Sequence, residues 1–197
     1  MSQLLDNAVT ELSKLPGVGR RTALRLALHL LRRDVQEVDL LSGALYEFRR
    51  SVRYCSRCRN LSDSDLCPIC SDTRRNQTVV CVVENVGDLI SIESTGQYEG
   101  LYHVLGGIIS PIEGITPSEL GIDLLEQNIR RGVVQEVILA LPTTTEGETT
   151  AYYITRRLQG LNIKISAISR GIGFGDQIEY ADTMTITHAL RNRSQVL

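Results

Sequence analysis

The chain has 197 residues, of which 42% are hydrophobic and 22% charged, and its formal net charge is −2. These values are typical of a soluble globular protein with one domain or two small ones. No apolar run is long enough to cross a bilayer, and the first residues lack the basic-then-apolar layout of a signal peptide. We therefore expect a cytoplasmic protein that is neither membrane-spanning nor secreted.

The charge is distributed unevenly along the chain. Residues 1–75 carry 13 Lys and Arg against 9 Asp and Glu, whereas residues 76–197 carry 8 against 14. Of the 21 cations, 19 are arginine, whose planar guanidinium suits phosphate. The first part of the chain therefore favours nucleic acid as a partner. On charge alone, a solvated helix face is the alternative.

The first two predicted helices form a hairpin. Apolar residues recur at helical spacing over residues 3–14 and again from Arg20 to about Arg33. Between the helices, residues 15–19 read Leu-Pro-Gly-Val-Gly, and the proline and two glycines make a tight turn. One face of the second helix carries three arginines, offset around the axis by about 40° or less. They are Arg21, Arg25 and Arg32.

This hairpin has the pattern of a helix-hairpin-helix that binds DNA. Gly17 and Gly19 let the backbone approach a phosphate closely, and the second helix begins with free N–H groups that can bind a phosphate oxygen. Arg21, Arg25 and Arg32 would add charge-assisted contacts, which grip the DNA backbone without reading its sequence. The alternative is an αα-hairpin whose turn simply requires glycine.

A third helix is predicted over residues 35–52. Its apolar stripe consists of Val38, Leu41, Leu45 and Phe48. Arg49, Arg50 and Arg53 follow the stripe. They either extend the DNA-facing surface or stabilise the helix C-terminus, and the sequence leaves both interpretations open.

Four of the five cysteines lie within sixteen positions, in two C-x-x-C pairs. We name them the cysteine cluster: Cys55, Cys58, Cys67 and Cys70. Two such turns complete a tetrahedron of thiolates, the ligand set of a structural zinc site with one ion per chain. The polar link between the pairs is too short to hold a core, so the metal would supply most of the folding free energy. Two disulfides are the alternative, which the reducing cytosol disfavours.

After residue 75, strands alternate with helices. Strands are predicted over residues 78–83, 102–105, 136–141 and 162–168, and helices over about 87–93, 118–131 and 147–159. This alternation predicts a mainly parallel sheet with helices on both faces. Cys81 lies inside the first of these strands and is interpreted as a small core residue.

The end of the chain predicts a loop and a tail. Residues 171–175, Gly-Ile-Gly-Phe-Gly, open no helix and are interpreted as a loop and not as a nucleotide-binding motif. From Gln177 onwards, apolar residues nearly alternate with polar ones. This tail is predicted to form an edge strand plus a short helix, which pair within the sheet or with a second subunit.

Three carboxylates are candidates for chemistry. Function in such a sheet gathers at the carboxyl ends of the strands, where Glu84 ends the first strand and Glu146 and Glu148 follow the third in a loop. They could converge on magnesium, which takes one or two carboxylates plus waters, or on a partner. The alternative is that they are ordinary loop acids. His103 is interpreted as a hydrogen-bonding strand residue, and no nucleophile motif is recognisable.

In its order of motifs, the whole chain resembles the bacterial recombination mediators of the RecR family. The matching stretches are LPGVGRRTALRL at 15–26, the cysteine cluster at 55–70, GLYHVLGG at 100–107, EGE at 146–148 and EYAD at 179–182. The resemblance implies a Toprim-type sheet over about residues 78–173. It also implies a ring-shaped homotetramer, with a dimer as the alternative, that encircles DNA.

The same resemblance implies the partners and the site residues. Members of the family work with RecO and RecF in loading RecA onto single-stranded gaps, so double- and single-stranded DNA and a nucleoid location are implied. Arg21 stands where the family usually has lysine, and Arg25 matches the family's arginine. Glu84 matches the Toprim glutamate.

Two positions depart from related patterns. Catalytic Toprim proteins carry an Asp-x-Asp pair after a later strand, whereas the corresponding stretch of this chain offers only Glu146 and Glu148. Pro142-Thr143 also differs from the Asn-Pro of many relatives. The first departure favours a protein without Toprim catalysis.

Four segments are therefore expected. Residues 1–54 form a helix-hairpin-helix DNA-binding region, 55–75 a four-cysteine zinc finger, 76–175 a Toprim domain and 176–197 a tail for oligomerisation. Three functional hypotheses follow. The first is a non-enzymatic DNA clamp and scaffold for repair. The second is an active, magnesium-dependent Toprim enzyme of the nuclease, primase or topoisomerase type, and the third is a zinc-bound adaptor that never touches DNA.

Overall fold

The structure is a computed structural model that describes residues 2–169, 171–173, 175–191 and 193. The chain divides between Val52 and Arg53 into two compact units. No helix in the described ranges combines the length and the apolar character that a bilayer crossing requires.

The first unit contains three helices, which confirm the three predicted ones. They are α1 (Gln3–Leu12), α2 (Arg20–Leu30) and α3 (Val35–Ser51). A small core lies between α1 and α2, where Val9 packs with Ala23 and Ala27. The alanines allow the two helices to approach closely, so contacts between α1 and α2 hold the hairpin together.

The apolar stripe of α3 does not join this core. Every residue of α3 is described, and none of them is buried. Leu41, Leu45 and Phe48 are 46%, 62% and 57% exposed. A 17-residue helix without buried side chains gains little stability from tertiary packing.

The second unit begins with three short elements that surround the cysteine cluster. They are the antiparallel strands β1 (Arg53–Tyr54) and β2 (Leu61–Ser62) and the helix α4 (Pro68–Ser71). Proline at the first position of α4 suits a helix start, because its missing N–H would have no partner there.

A four-stranded parallel sheet follows, and it confirms the four predicted strands. The strands are β3 (Asn76–Val83), β4 (Gly100–Val104), β5 (Glu136–Ala140) and β6 (Lys164–Ala167). They lie in the order β4-β3-β5-β6, with β3 and β5 in the centre. Val82 of β3 stands beside His103 on one side and Leu139 on the other.

Both faces of the sheet are covered by helices, as predicted. The connecting helices are α5 (Val86–Glu93), α6 (Ile122–Arg130) and α7 (Thr145–Arg157). Val80 and Val82 pack with residues of α6 and α7, whereas Cys81 and Val83 pack on the opposite face with Leu89 of α5. Residues 79–83 of β3 are all apolar, as expected where both faces of a strand are covered. Cys81 is a core residue, as interpreted.

The prediction of one continuous helix over residues 118–131 is wrong. Residues 117–119 form a single 3₁₀ turn, and α6 begins only after Gly121. The Gly121 N–H donates to the Leu105 carbonyl at 2.9 Å, and the Gly121 carbonyl lies 2.7 Å from His103 Nε2. These bonds to the end of β4 hold Gly121 outside the helix.

The tail is helical where it is described. A 3₁₀ turn over Ile178–Tyr180 precedes α8 (Thr183–Arg191), which confirms the short helix. The predicted edge strand is wrong, because residues 175–191 contain no strand. Asp182 accepts a hydrogen bond from the Thr185 N–H at 2.9 Å, which is a typical helix start. The predicted loop at 171–175 includes Phe174, which lies outside the described residues.

The two connections on either side of the β3–β5 pair leave the sheet on opposite faces. The connection after β3 runs through α5 on one face, and the connection after β5 runs through α7 on the other. Neighbouring strands whose connections leave on opposite faces open a crevice at their carboxyl ends, where α/β sheets bind ligands. Glu84 directly follows β3 at this point.

Candidate nucleic-acid interface and metal centre

The turn between α1 and α2 exposes backbone amides. Gly17 has φ +76°, a left-handed conformation that glycine adopts without strain, and Gly19 is the N-cap of α2. No heavy atom lies within 4 Å of a Cβ placed at either glycine. The first helical bond of α2 runs from the Ala23 N–H to the Gly19 carbonyl at 2.9 Å. The amides of the first turn therefore have no partner within the helix, and residues 19–22 are exposed.

The lysine and arginine residues of the hairpin, residues 1–33, fall into two groups. Three of them are bound by acidic side chains: Arg20 by Asp6, Arg33 by Glu37 and Lys14 by Glu11. The other group comprises Arg21 and Arg25 on α2 and Arg32 just after its end, which are exposed and have no ion pair among the described residues. The pairing of Arg20 with α1 also fixes the start of α2, so the unpaired arginines project from an anchored helix.

This arrangement has the chemistry of a phosphate-binding surface. Helix-start amides and guanidinium groups both donate hydrogen bonds to phosphate oxygens, and neither reads a base. The structure brings the predicted residues Gly17, Gly19, Arg21 and Arg25 to the first turns of α2, with Arg32 after its end. That they contact DNA stays a prediction.

The four predicted metal ligands converge. Their sulfur atoms all lie within 4.8 Å of one another, and all four side chains are buried. Cys58 Sγ and Cys67 Sγ are 3.6 Å apart, far beyond the length of a disulfide of about 2.05 Å. A tetrahedral zinc ion with Zn–S bonds of about 2.3 Å requires sulfurs roughly 3.8 Å apart. The cluster therefore fits zinc, and the disulfide alternative does not apply to this structure.

Hydrogen bonds to the cluster sulfurs explain why the cluster suits a cation. N–H groups of Asn60, Cys67 and Cys70 donate to cluster sulfurs at 3.3–3.5 Å, which stabilises negative charge on them. The hydrogen bond between the two thiols raises the pKa of Cys58 and lowers that of Cys67. Without a cation, ionisation of Cys67 therefore opposes ionisation of Cys58. Zinc, when bound, supplies the charge that allows both to ionise.

The cysteine cluster is docked on the edge of the sheet. The Val104 N–H of the edge strand β4 donates to the Cys58 carbonyl at 2.8 Å. Asn128 of α6 donates to the Arg57 carbonyl at 2.6 Å, and Arg57 Nη1 donates to Gln77 Oε1 at 2.9 Å. The cluster therefore serves as a structural extension of the sheet. The side chain and carbonyl of Arg57 are both bound within the second unit.

Arg59 is a residue whose placement the sequence did not suggest. It is the one non-glycine residue with positive φ, +62°, in the described ranges. A Cβ on Gly121 would stand 2.8 Å from Arg59 Cδ, and one on Gly106 would stand 3.1 Å from Arg59 Nη2. The side chain thus crosses from the cysteine cluster to the two glycines beside β4. A glycine at the end of a strand and another before a helix would have been the only sequence signal.

His103 is a structural residue, as interpreted. It is 1% exposed, and its Nε2 lies 2.7 Å from the Gly121 carbonyl. A carbonyl only accepts, so Nε2 carries the proton and donates. Burial lowers the pKa of His103 to about 4, and the nearby Arg59 charge adds to the effect. The ring is therefore neutral at physiological pH.

The three candidate carboxylates do not form a cluster of metal ligands. In the described part of the chain, the cysteine cluster is the only group of three or more Cys, His, Asp or Glu ligand atoms close enough to share an ion. Burial and the neighbouring Asp88 raise the pKa of Glu84. A magnesium site with one or two carboxylates and waters does not need such a cluster. The magnesium or partner site at Glu84, Glu146 and Glu148 stays a prediction.

Glu146 and Glu148 lie in a helix that begins two residues before the predicted start at residue 147, which corrects their placement in a loop. α7 begins at Thr145, so both acids belong to its first turn. Thr144 caps the helix by accepting the Gly147 N–H at 3.1 Å. A side chain at Gly147 would collide with the Pro142 carbonyl, so the start of α7 packs against the end of β5.

Comparisons with protein families match four successive parts of the chain. A model described as "RecR, helix-hairpin-helix" matches residues 5–48, and a model of the four-cysteine zinc finger domain of RecR matches 52–72. A "Toprim domain" model matches residues 78–169, and "RecR, C-terminal" matches 171–194.

Curated relatives are similar along nearly the whole chain. A protein of Parabacteroides distasonis named "Recombination protein RecR" is 52% identical over 194 residues, which are 98% of this chain and 93% of that protein. Proteins of the same name from Bacteroides thetaiotaomicron and Flavobacterium johnsoniae are 50% and 48% identical. Those alignments cover 98% of this chain and 94% and 93% of the relatives.

Proposed function

The chain belongs to the RecR family of recombination proteins, and we propose that it is a DNA-binding mediator of recombination and DNA repair. The observation that carries the proposal is the surface of α2 in the first unit. Arg21 and Arg25 on this helix and Arg32 just after it are exposed without ion pairs among the described residues, while Arg20 and Arg33 are bound by acids. The first-turn amides of α2 have no partner within the helix, and residues 19–22 are exposed.

The proposed contacts are to the DNA backbone. Gly17 and Gly19 allow a phosphate to approach the amides at the start of α2, and Arg21 and Arg25 bind the same or the next phosphate. Arg32 extends the contact beyond the helix end. Such a surface holds duplex DNA without sequence preference, which suits a protein that acts wherever a gap occurs.

The zinc finger has a structural part in this proposal. Cys55, Cys58, Cys67 and Cys70 hold one zinc ion per chain, and their fit to a tetrahedral ion supports this. All four positions are filled by thiolates, so none is left for water or substrate. We propose functional segments at residues 1–54, 55–75, 76–175 and 176–197, for DNA binding, zinc binding, the Toprim sheet and oligomerisation.

The proposed role is not enzymatic. Glu84, Glu146 and Glu148 would form at most a weak magnesium or partner site at the sheet crevice, since no Asp-x-Asp pair follows β5. Residues at the carboxyl ends of strands are placed to meet a ligand, and a partner protein could use the same crevice.

The partners and the assembly are proposed from family membership. The chain would act with RecO and RecF to help load RecA at single-stranded gaps, and it would contact both double- and single-stranded DNA. It would assemble as a homotetramer, or as a dimer, in the cytoplasm at the nucleoid. The exposed apolar stripe of α3 supports assembly, since something must cover it.

Charge reversal tests the proposal. Arg21→Glu with Arg25→Glu is compared with Arg20→Glu with Arg33→Glu, which changes the charge equally at the two acid-bound arginines. Duplex affinity is measured by fluorescence anisotropy in low salt. The first pair should abolish binding and the second should weaken it far less. Equal losses, or unchanged affinity in the first pair, would contradict the proposal and favour an adaptor that never touches DNA.

A Toprim enzyme is the second candidate, which the Toprim match over residues 78–169 and the position of Glu84 at the crevice favour. It predicts magnesium-dependent nicking or strand passage of plasmid DNA that Glu84→Gln abolishes. Absence of any such activity in zinc-loaded, assembled protein supports the mediator.

A further inference from the structure

The C-terminal half of α3 presents a second surface besides its apolar stripe. Around a helix of 3.6 residues per turn, Tyr46 and Arg50 lie about 40° apart, and the centre of the stripe formed by Leu41, Leu45 and Phe48 lies about 150° away from them. Arg49 lies between the two faces. Tyr46 and Arg50 therefore lie on the side of the helix opposite the stripe.

Tyr46 and Arg50 form a stacked pair that makes no other described contact. The guanidinium carbon of Arg50 lies 5.8 Å from the centre of the Tyr46 ring, and Tyr46 is 61% exposed. Within the described ranges, neither side chain has a hydrogen bond or an ion pair, and the same holds for Arg49. The pair is thus an exposed aromatic face with a cation already positioned against it.

The charge around this pair is positive. Glu47 is the one acid among residues 45–51, and its carboxylate accepts a hydrogen bond from Ser51 Oγ at 3.1 Å. Asp39 lies on the same side of the helix as Tyr46, but two turns towards the N-terminus. Arg49 and Arg50 are therefore not neutralised by an acid on their own part of the helix.

We propose that Tyr46, Arg49 and Arg50 form a binding surface for single-stranded DNA, in which an unpaired base stacks on Tyr46 and the arginines bind the adjacent phosphates. A flat ring beside cations is the common chemistry of single-strand recognition, because every unpaired base has a face that stacks. Bases inside a duplex are already stacked on each other and cannot use the ring. The surface on α2 offers amides and arginines without an aromatic ring, so it suits backbone contacts.

The inference rests on the proposed DNA-binding function and adds a division of labour to it. Duplex DNA would be held by Arg21 and Arg25 on α2, and the unpaired strand by Tyr46 and Arg50 on α3. A protein with both surfaces prefers DNA that contains a single-stranded gap next to a duplex.

The test compares three ligands in parallel: a single-stranded oligonucleotide, an abasic strand with the same number of phosphates, and a duplex. Tyr46→Ala should lower affinity for the single strand roughly tenfold, the scale of one base–aromatic stack. Affinity for the abasic strand and the duplex should not change. Tyr46→Phe keeps the ring and should bind the single strand as the natural chain does.

Tyr152→Ala is the matched control. Tyr152 is 67% exposed on α7 and is followed four residues later by Arg156, yet no cation lies over its ring among the described residues. This substitution should leave all three affinities unchanged. Because Tyr46 is exposed and alanine favours helices, Tyr46→Ala should retain the helix content of the natural chain by circular dichroism.

Three results would overturn the proposal. They are unchanged single-strand affinity in Tyr46→Ala, an equal loss on the abasic strand, and a loss accompanied by dissociation in light scattering, which would assign Tyr46 to a subunit contact. The proposed duplex site fails separately, when Arg21→Glu with Arg25→Glu leaves duplex affinity unchanged. The single-strand measurement does not depend on that outcome.

Discussion

Arg59 and Gly121 are in direct contact although they belong to different parts of the second unit. Arg59 leaves the cysteine cluster in a left-handed backbone conformation, and its side chain lies where a side chain on Gly121 would stand. Gly121 in turn accepts the hydrogen bond of His103. The three residues couple the metal centre, the edge strand β4 and the start of α6.

Gly121→Ala should therefore destabilise the second unit. The new methyl group would stand 2.8 Å from Arg59 Cδ and 3.0 Å from His103 Nε2, both closer than packed atoms allow. The expected loss in the free energy of unfolding is roughly 1–3 kcal/mol, as for other overpacked sites. Urea denaturation measures it.

Gly43→Ala is the control for this substitution. Gly43 lies within α3, has a helical backbone conformation and has no heavy atom within 4 Å of an added Cβ. Alanine there should be neutral or stabilising by up to about 1 kcal/mol. Adding Arg59→Gly to Gly121→Ala should restore part of the lost stability. An unchanged stability in Gly121→Ala would show that Arg59 does not hold this position.

His103 predicts a pH dependence of stability. Its pKa is about 4 in the folded chain and about 6.5 in an unfolded one. A folded pKa below the unfolded value means that unfolding takes up a proton. The contribution of the neutral His103 ring to the free energy of unfolding is complete above pH of about 6.5. It is lost as the pH falls towards 4, by up to about 1.4 kcal/mol per pH unit.

Urea unfolding at several pH values between about 7 and 5 is the measurement, with His103→Gln as the comparison. Glutamine can donate to the Gly121 carbonyl but does not titrate. Both chains carry the same four cysteines, so the protonation of metal ligands affects them equally. The variant should lose less stability per pH unit than the natural chain. Parallel profiles would contradict the assignment of His103 as a buried neutral ring.

Loss of the metal should destabilise the edge strand β4 of the sheet. Cys67→Ser removes one zinc ligand, and the Cys58 carbonyl that accepts from Val104 belongs to the same cluster. We expect less than one zinc per chain by atomic emission and faster hydrogen exchange of the Val104 amide. Cys81→Ala is the control, since Cys81 is buried in β3 away from the cluster and should leave zinc content unchanged. Normal hydrogen exchange of the Val104 amide in a zinc-free chain would show that the metal does not stabilise the sheet.

Features set by local sequence were predicted well. A few neighbouring residues determine each of these features: the turn at residues 15–19, the two C-x-x-C pairs and the four apolar strands. The alternation of Val80 and Val82 with Cys81 and Val83 between two buried faces follows from the continuous apolar run. The residues of the candidate sites could be named from the sequence for the same reason.

Features set by distant contacts were missed. The break before α6 depends on bonds from Gly121 to β4, and the conformation of Arg59 depends on the same contact. The tail was assigned a strand because Ile178, Tyr180, Met184 and Ile186 nearly alternate, whereas the Asp182 cap starts a helix. The stripe of α3 looked like a core face, but nothing in the sequence says whether its partner lies in the same chain.

The exposed stripe of α3 predicts an effect on assembly. Leu45 is 62% exposed in the single chain, and a homotetramer would cover it. Leu45→Glu would bury a charge at that contact, so the solution mass should fall towards that of a monomer in light scattering. Ser42→Glu adds the same charge on another face and should leave the mass unchanged. An unchanged mass in Leu45→Glu would place the assembly contact elsewhere.

The salt dependence of duplex affinity tests the central claim most directly. Each phosphate contact contributes about 0.9 to the slope of log affinity against log salt concentration. Replacing Arg21, Arg25 and Arg32 together by glutamine should make the slope shallower by roughly 2 to 3. Replacing the acid-bound Arg20 and Arg33 in the same way should change it little. An unchanged slope in the triple variant would show that the surface of α2 does not bind DNA.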